Sequence, residues 1–232
     1  MKRIESEDLK YIMDDWLAPY SVAISLKSER FNENDMSFSS NENEDNRRRF
    51  FDELKILDKK IMRNNQIHSN RIIKPIESVA MEADGLISDD LNHALMLLTA
   101  DCYNIFFHTD GKKVFGAVHA GWKGIIGGII KELKKKLKGE SRVLIAQGIC
   151  AEHFAVKEET ALLFERNFAK EFIKRDKEIK VDLRGILNNE LKNSAEIKNL
   201  NICNVCDKES LFSFRSGDEK KRNLSIIWRE NE

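Results

Sequence analysis

The sequence has no excess of charge of either sign and no long apolar run. Its 39 lysines and arginines balance 39 aspartates and glutamates. A balanced chain lacks the basic surface that attracts nucleic acids or anionic membranes, so we expect neither as a partner. The longest strongly apolar run, residues 94–100, is far too short to span a bilayer. The N-terminal residues carry no apolar stretch typical of a signal peptide, so the cytoplasm is the expected location.

Proline and cysteine are also scarce. Only two prolines occur, and no Pro- or Ser-rich segment or internal repeat divides the chain, so we expect residues 1–232 to form a single domain. In a cytosolic chain of this length, the cysteines are expected as thiols or ligands rather than as a disulfide framework. Cys203 and Cys206 are separated by two residues, but no second pair of ligands lies nearby in sequence. We therefore interpret this pair as structural.

Strand-like and helix-like segments follow one another without strict alternation. Hydrophobic periodicity predicts strands at 21–26, 94–99, 105–109, 112–119, 143–146, 210–214 and 224–228, and helices at 47–60, 125–138, 157–175 and 183–193. Hairpins mixed with helices favour a layered α+β domain over a doubly wound α/β domain.

One predicted hairpin brings two potential metal ligands together. Residues 110–111 (Asp-Gly) indicate a two-residue turn, which would pair Thr109 with Lys112. The same register pairs Cys102 with His119, and directly opposed Cβ atoms lie roughly 5 Å apart. Zinc forms bonds of about 2.3 Å to sulfur and about 2.1 Å to nitrogen, so the two side chains could share one ion. A bulge in the ladder would shift the register and remove this pairing.

A third ligand has to come from elsewhere in the chain. His68 ends a short predicted strand, although a lone histidine is more often structural than a ligand. Three nitrogen or sulfur ligands with an open fourth position are typical of a catalytic zinc, which lowers the pKa of bound water or polarises a substrate. The ordinary alternatives are an inert buried thiol for Cys102 and a packed imidazole for His119.

Several short motifs resemble those of one enzyme family. Residues 99–102 (TADC) and 119–124 (HAGWKG) are similar to signatures of the laccase-domain purine nucleoside phosphorylases, formerly called the multicopper polyphenol oxidase family. The number and order of the matches make the resemblance specific, and it extends over roughly residues 20–228. The further matches are Asn46-Arg47, Gln66-Ile67-His68, residues 83–88 (ADGLIS), residues 181–183 (VDL) and residues 212–215 (FSFR).

The resemblance implies a zinc ion bound by His68, Cys102 and His119. Copper is the less suitable metal, because a trinuclear copper cluster needs more imidazoles than the remaining histidines supply. The resemblance also implies an α/β/β/α-type layered domain with a mixed sheet, related to cysteine-hydrolase-like folds. The implied substrates are purine nucleosides and phosphate. The implied reactions are phosphorolysis of adenosine and inosine, in some relatives of methylthioadenosine, and adenosine deamination.

The resemblance also suggests residues that contact the substrate. Arg47 and Arg215 are candidate phosphate ligands, since a guanidinium binds phosphate through two hydrogen bonds, and Gln66 is a further candidate for substrate binding. Asp101, which precedes the cysteine, is a candidate for proton transfer or, equally, a turn residue that holds backbone amides. The segment 146–156 departs from the family pattern, with His153 where a cysteine is common and Ala155 in place of a glutamate.

Two other functions are compatible with the same residues. In a metal-free cysteine hydrolase, Cys102 would be the nucleophile and His119 the base, acting on an amide or cell-wall-precursor bond. In a metal-binding partner protein, the same ligands would serve no reaction. Zinc content separates the hydrolase from the nucleoside enzyme, and a test with adenosine, inosine and phosphate separates both enzymes from the partner protein.

Overall fold

The structure, a computed structural model, describes residues 1–6, 8–29, 31–110 and 114–230. The strands are β1 (Lys2–Glu5), β2 (Lys10–Asp14), β3 (Tyr20–Ser25), β4 (Lys60–Met62), β5 (Ile72–Ile73), β6 (Gly85–Ser88), β7 (His93–Thr99), β8 (Tyr103–Thr109), β9 (Val114–Ala120), β10 (Ser141–Ile145), β11 (Ala155–Val156), β12 (Ile173–Arg175), β13 (Ile179–Val181), β14 (Glu196–Asn199) and β15 (Asn223–Arg229).

Helices are fewer than strands in the described part of the chain. They are α1 (Phe31–Asn34), α2 (Glu42–Glu53), α3 (Trp122–Ile126), α4 (Ile129–Lys134), α5 (Glu158–Asn167) and α6 (Leu183–Leu191), with 3₁₀ turns at Lys170–Phe172 and Phe214–Ser216. The first of these, α1, is a left-handed turn, because φ is positive from Asn32 to Asn34. Within the described ranges, no helix combines the length and the apolar character needed to cross a membrane.

Two mixed six-stranded sheets form the centre of the fold. The first has the strand order β1-β2-β3-β15-β7-β4, and the second has the order β14-β10-β8-β9-β6-β5. Parallel pairs occur between β4 and β7, between β10 and β14, and between β5 and β6, whereas the other neighbours are antiparallel. A small antiparallel sheet has the order β11-β13-β12.

The alternation of side chains along the strands explains how the layers stack. In β7, Leu95 and Leu97 lie in the core between the two large sheets, whereas Ala94 and Met96 face the opposite side. That outer side is covered by α2, with Phe50 in the same cluster. Helices α3 to α6 cover the outer side of the second sheet. The resulting α/β/β/α order confirms the predicted α+β layered fold.

Three predicted helices end earlier than their patterns suggested, and the one predicted at 47–60 is α2, which spans Glu42–Glu53. The helix predicted at 125–138 is divided into α3 and α4, because Gly128 adopts a left-handed conformation with φ +94°. The helix predicted at 157–175 ends at Asn167, and the chain continues into the 3₁₀ turn and β12. The apolar pattern continues past the end of α5 because two further rings pack on the same core. Phe168 does so from extended backbone and Phe172 from the 3₁₀ turn.

The strand predicted at 210–214 is wrong. Phe212 there is bound by side chains instead of a neighbouring strand: its N–H donates to Asn223 Oδ1 at 2.9 Å, and its carbonyl accepts from Asn204 Nδ2 at 2.8 Å. Asparagine side chains thus make the hydrogen bonds that a neighbouring strand would otherwise make. The apolar pattern of residues 210–214 cannot distinguish these two arrangements.

The predicted hairpin register is also wrong. Strand β8 pairs Thr109 with Val114 and Asn104 with His119, so the connection is longer than two residues. Residues 111–113, which include the predicted turn glycine, lie outside the described residues. Cys102 therefore does not pair with His119 but lies in the loop just before β8.

Candidate metal centre and cavity

His68, Cys102 and His119 meet at one point despite the changed register. Cys102 lies in the loop between β7 and β8, His119 lies near the end of β9, and His68 lies in the loop between β4 and β5 with φ +60°. The distance from Cys102 Sγ to His68 Nε2 is 3.7 Å, and all three potential ligand atoms lie within 4.8 Å of one another. Tetrahedral zinc spaces a sulfur and a nitrogen ligand about 3.6 Å apart, so the three donors fit one metal ion.

Asp84 fixes the orientation of both histidine-bearing segments. Its fully buried carboxylate accepts hydrogen bonds from His119 Nδ1 and from the His68 backbone N–H, each at 2.9 Å. It also accepts the Ser69 hydroxyl at 2.8 Å. Burial raises the pKa of Asp84, but the hydrogen bonds from His119 and Ser69 lower it to about 2. An ionised Asp84 holds the proton of His119 on Nδ1 and leaves Nε2 free for a metal.

Cys102 and His119 also shift each other's protonation. Burial raises the pKa of the Cys102 thiol, but His119 and His68 lower it to about 6. Burial lowers the pKa of His119, whereas Cys102 and Asp84 raise it to about 9. These opposite shifts favour a thiolate on Cys102 beside an imidazolium on His119. The thiolate is the form of cysteine that binds metals, and a bound cation would take the place of the imidazolium proton.

Gly121 leaves the space that these ligands occupy. A Cβ atom at this position would lie 2.6 Å from His68 Cδ2 and 3.0 Å from Cys102 Sγ. The backbone of Gly121 is in an ordinary extended conformation, with φ −74° and ψ 158°. Glycine is thus required here for close approach and not for backbone freedom.

Gly121→Ala should displace the His68 imidazole while the fold persists. A side chain 2.6 Å from the ring must push the ring away, and a shift of about 1 Å in a reacting group costs on the order of 100-fold in rate. Metal content and nucleoside turnover of the purified variant would measure the effect, with thermal unfolding as the check on folding. Wild-type activity and metal content would show that His68 is not needed in its present place.

A cavity of about 750 Å³ opens beside the three ligands, within the usual size range of small-molecule sites. His68, Cys102 and His119 lie in one part of its wall. Other parts of the wall, beside polar, aliphatic and acidic residues, carry aromatic rings, which suit a planar base, and cationic side chains, which suit an anion. These aromatic and cationic residues are Phe38, Trp122, Phe154, Phe214, Arg63, Arg215, Lys220 and Arg222.

Arg47, predicted as a phosphate ligand, is buried in α2 and does not line this cavity. Its guanidinium donates to the carbonyl oxygens of Met36 and Ser37 and lies 4.1 Å from the centroid of the Phe38 ring. Through these contacts Arg47 holds the loop that places Ser37 and Phe38 in the cavity wall. Direct contact between Arg47 and phosphate stays a prediction.

Gln66 lines the cavity, but its amide group is engaged with the protein. Gln66 Nε2 donates to the Leu98 carbonyl at 2.8 Å, and Gln66 Oε1 accepts the Leu98 N–H at 2.9 Å. This double contact attaches the loop that carries His68 to the edge of β7. A direct contact between Gln66 and substrate stays a prediction.

Asp101 and Arg215 lie together in the cavity wall. Asp101 Oδ2 accepts the Arg215 backbone N–H at 2.9 Å, and the Asp101 carbonyl accepts the Ile149 N–H at 2.7 Å. Asp101 Oδ1 is buried, with no hydrogen-bond partner in the described part of the chain. Burial raises the pKa of Asp101, although hydrogen bonds from Ser213 and Arg215 oppose the shift. The Arg215 guanidinium donates to the Ala155 carbonyl at 3.0 Å and lies over the Phe154 ring.

Sequence reasoning assigned no role to Asp84 or Arg63. Asp84 lies in the ADGLIS motif, and its position in that motif was the available signal. Arg63 lines the cavity and lies 4.3 Å from the centroid of the Phe38 ring. No sequence pattern distinguishes Arg63 from the other arginines of the chain, because its place in the cavity wall depends on how the loop after β4 packs against Phe38.

A family profile and individual relatives place this chain in the same family. The profile described as multi-copper polyphenol oxidoreductase laccase matches residues 25–230. A purine nucleoside phosphorylase of Campylobacter jejuni is 33% identical over 176 residues, which cover 71% of this chain and 75% of that protein. Another purine nucleoside phosphorylase, of Clostridium acetobutylicum, is 32% identical over 211 residues, which cover 84% of this chain and 88% of that protein.

Solved structures share the fold. The hypothetical protein YfiH of Bacillus licheniformis superposes with a TM-score of 0.85 at 20% identity, and the match covers 98% of each chain. YlmD of Geobacillus stearothermophilus superposes with a TM-score of 0.84, also at 20% identity and 98% coverage of each chain. At this level of identity the likeness establishes the architecture and not the activity.

Proposed function

Because this chain belongs to the multi-copper polyphenol oxidoreductase laccase family, in which close relatives are named purine nucleoside phosphorylases, we propose that it catalyses the phosphorolysis of purine nucleosides. The observation that carries the proposal is the convergence of His68, Cys102 and His119 in the wall of a cavity that also offers aromatic rings and cations. Adenosine and inosine are the proposed substrates, with methylthioadenosine as a further one.

The metal that we propose is zinc, held by the two imidazoles and the thiolate. This donor set, with one position left open, is typical of catalytic zinc, and a zinc ion held there would act as a Lewis acid towards the substrate. Copper chemistry of the multinuclear kind is less suited to this chain. His93 binds Ser88 Oγ at 2.8 Å and His108 lies beside Tyr20, so neither contributes to the three-ligand site.

We assign phosphate binding to the cationic part of the wall, and to Arg63 in particular. Within the described ranges, the Arg63 guanidinium donates no hydrogen bond to another residue, so its donors are available to a ligand. The same Phe38 ring lies beneath the guanidiniums of both Arg63 and Arg47. Two neighbouring cations attract an anion, and a free guanidinium can bind two phosphate oxygens at once.

Arg63→Ala should raise the KM for phosphate much more than the KM for the nucleoside. A hydrogen bond to a charged group contributes about 1.5–3 kcal/mol, which corresponds to a roughly 10- to 100-fold increase in KM. Initial rates at varied phosphate and saturating inosine would measure it. Arg48→Ala, an exposed arginine of α2, is the matched control and should leave both constants unchanged. Equal KM values for phosphate in Arg63→Ala and wild type would remove Arg63 from the site.

The reaction needs a nucleophile, a leaving group and a proton. A phosphate oxygen forms a bond to the ribose C1′ as the C1′–N9 bond breaks, and the electron pair of that bond moves to the purine. The aromatic rings Phe154 and Phe214 are suited to stack on the base, since stacking tolerates any purine. We assign protonation of the departing purine to Asp101, whose raised pKa favours its protonated form.

Product analysis tests the proposal. Metal-loaded protein incubated with inosine and phosphate should release hypoxanthine and ribose 1-phosphate in equal amounts, and adenosine should yield adenine in the same way. Omitting phosphate should stop base release. Deamination of adenosine in the same cavity, the second reaction that we propose, would appear as ammonia and inosine. Base release that is independent of phosphate, or no turnover with any purine nucleoside, would reject phosphorolysis.

A metal-free cysteine hydrolase has one specific observation in its favour. Cys102, His119 and Asp84 form a thiolate, imidazole and carboxylate series, as in cysteine hydrolases that act on amide bonds. The position of His68 favours the metal instead, because a hydrolase needs no second imidazole 3.7 Å from its nucleophile. Protein purified without added metal distinguishes the two, since only the nucleoside enzyme should contain a metal bound at Cys102.

A further inference from the structure

A second cluster of metal-binding side chains lies outside the cavity wall. It consists of Cys150, His153, Cys203 and Cys206, whose potential ligand atoms all lie within 4.8 Å of one another. None of the four residues lines the cavity. The sulfurs are free thiols, and the side chains range from buried at Cys203 to exposed at His153 and Cys206.

The distances inside this cluster match a tetrahedron around one ion. Zinc bonds of about 2.3 Å to sulfur and 2.1 Å to nitrogen place two sulfurs about 3.8 Å apart, and a sulfur and a nitrogen about 3.6 Å apart. The distance between the Sγ atoms of Cys150 and Cys206 is 3.9 Å. His153 Nδ1 lies 3.2 Å from the sulfur of Cys150, 3.8 Å from that of Cys203 and 3.5 Å from that of Cys206.

Two tight turns present the four ligands. In one, the Phe154 N–H donates to the Cys150 carbonyl at 3.1 Å, which brings the side chains of Cys150 and His153 to one side. In the other, the Asp207 N–H donates to the Cys203 carbonyl at 3.0 Å and does the same for Cys203 and Cys206. Each pair is separated by two residues, a spacing that is common among zinc ligands.

Backbone hydrogen bonds hold the two turns side by side, so that their four side chains face one another. Gly148 and Cys203 form a parallel bridge, in which the Gly148 N–H donates to the Ile202 carbonyl and the Asn204 N–H donates to the Gly148 carbonyl, each at 3.2 Å. The Cys150 N–H also points at Cys203 Sγ, 3.3 Å away. An N–H directed at a sulfur stabilises its thiolate, the form that binds metals.

We propose that Cys150, His153, Cys203 and Cys206 bind a second zinc ion in a closed, structural site. Three sulfurs and one imidazole fill all four positions of a tetrahedral ion and leave none for substrate, which is the pattern of structural zinc. The ion would attach the 150–154 turn to the 203–206 turn. Ile149 and Phe154, at the two ends of the first turn, line the cavity, so the second site braces the cavity wall.

A disulfide is the competing arrangement for these cysteines. It requires an S–S distance of about 2.05 Å, whereas Cys150 and Cys206 lie 3.9 Å apart. A disulfide would also leave the His153 nitrogen, which lies within 4 Å of all three sulfurs, without a role. Metal analysis and thiol chemistry separate the two arrangements.

Zinc analysis in a variant that lacks the first site is the direct test. The His68→Ala/Cys102→Ala double variant, purified without added metal, should retain about one zinc ion per chain by mass spectrometry of the element. Adding Cys206→Ser, at an exposed position, should remove that ion, whereas wild-type protein should contain about two. The proposal is separate from the nucleoside chemistry, because this readout needs no activity.

Alkylation of the wild-type protein gives a second readout that requires no variant to fold. Iodoacetamide should leave Cys150, Cys203 and Cys206 unmodified in the metal-loaded protein and modify all three after a strong chelator is added. Cobalt in place of zinc should give the intense visible bands of a tetrahedral, thiolate-bound ion in the double variant. A zinc-free double variant whose three thiols react at once, or a mass that reports a disulfide among them, would overturn the proposal.

Discussion

Cys102→Ala is expected to lower nucleoside phosphorolysis by at least about 1,000-fold. The substitution removes one of three ligands, and the two remaining imidazoles bind a metal much more weakly than the full set. A catalytic metal contributes several kcal/mol to the transition state, and about 4 kcal/mol corresponds to that factor in rate. The variant should retain the fold, because a smaller apolar side chain replaces a half-buried thiol in a loop. Rates with inosine and phosphate, together with zinc content, measure the loss.

A matched pair of histidine variants controls this result. His68→Ala should resemble Cys102→Ala in both rate and metal content, whereas His93→Ala, which lies outside the cavity, should behave as wild type. In metal-free protein, iodoacetamide should alkylate Cys102 along with the cysteines of the second cluster, and added zinc should protect both Cys102 and the activity. If Cys102→Ala and His68→Ala both retain full activity, the metal centre is in the wrong place.

Asp84→Asn is expected to weaken metal binding about 10- to 100-fold, the usual effect of removing a carboxylate that orients a histidine ligand. Asparagine has the same shape, but its amide can present a donor where His119 Nδ1 needs an acceptor. The His119 ring then loses the contact that keeps its proton on Nδ1, and Nε2 is no longer reserved for the metal. The contact with the His68 backbone is weakened at the same time.

Competition with a fluorescent zinc chelator would give the affinity of each variant. Asp89→Asn is the control, since Asp89 is exposed and its ion pair with Lys74 lies away from the ligands. Asp84→Asn should also return the pKa of His119 towards its usual range, because Asp84 contributes to the present rise to about 9. An unchanged zinc affinity in Asp84→Asn, with the fold intact, would show that the carboxylate does not orient His119.

The fold class could be predicted from the sequence, but the way in which the fold brings Cys102 and His119 together could not. Alternation and periodicity are local, so they predicted the longer strands β3, β7, β8, β9, β10 and β15 and the layered α+β arrangement, but not the shorter strands. The register of β8 and β9 depends on the connection between them, and the Asp-Gly signal predicted a shorter one. Cys102 and His119 meet because the loop before β8 turns towards the end of β9, and φ +85° at Asp101 is part of that turn.

The second cluster shows what a search by sequence distance misses. No ligand pair lies near Cys203 and Cys206 in sequence, but the fold brings Cys150 and His153, about fifty residues earlier, beside them. Two pairs with equal spacing were the available signal. The parallel bridge at Gly148, which joins them, has no sequence signature. Arg63 was missed for a similar reason, since only the folded loops place it at the cavity.

Diffraction from a crystal of the metal-loaded protein at the zinc absorption edge would locate the ion itself. We expect an anomalous peak about 2.1 Å from the imidazole nitrogens of His68 and His119 and about 2.3 Å from Cys102 Sγ. The peak should be absent in Cys102→Ala crystals. An active enzyme whose crystals show no peak at these three side chains, with the Cys102 sulfur unbound, would mean that catalysis needs no metal at His68, Cys102 and His119.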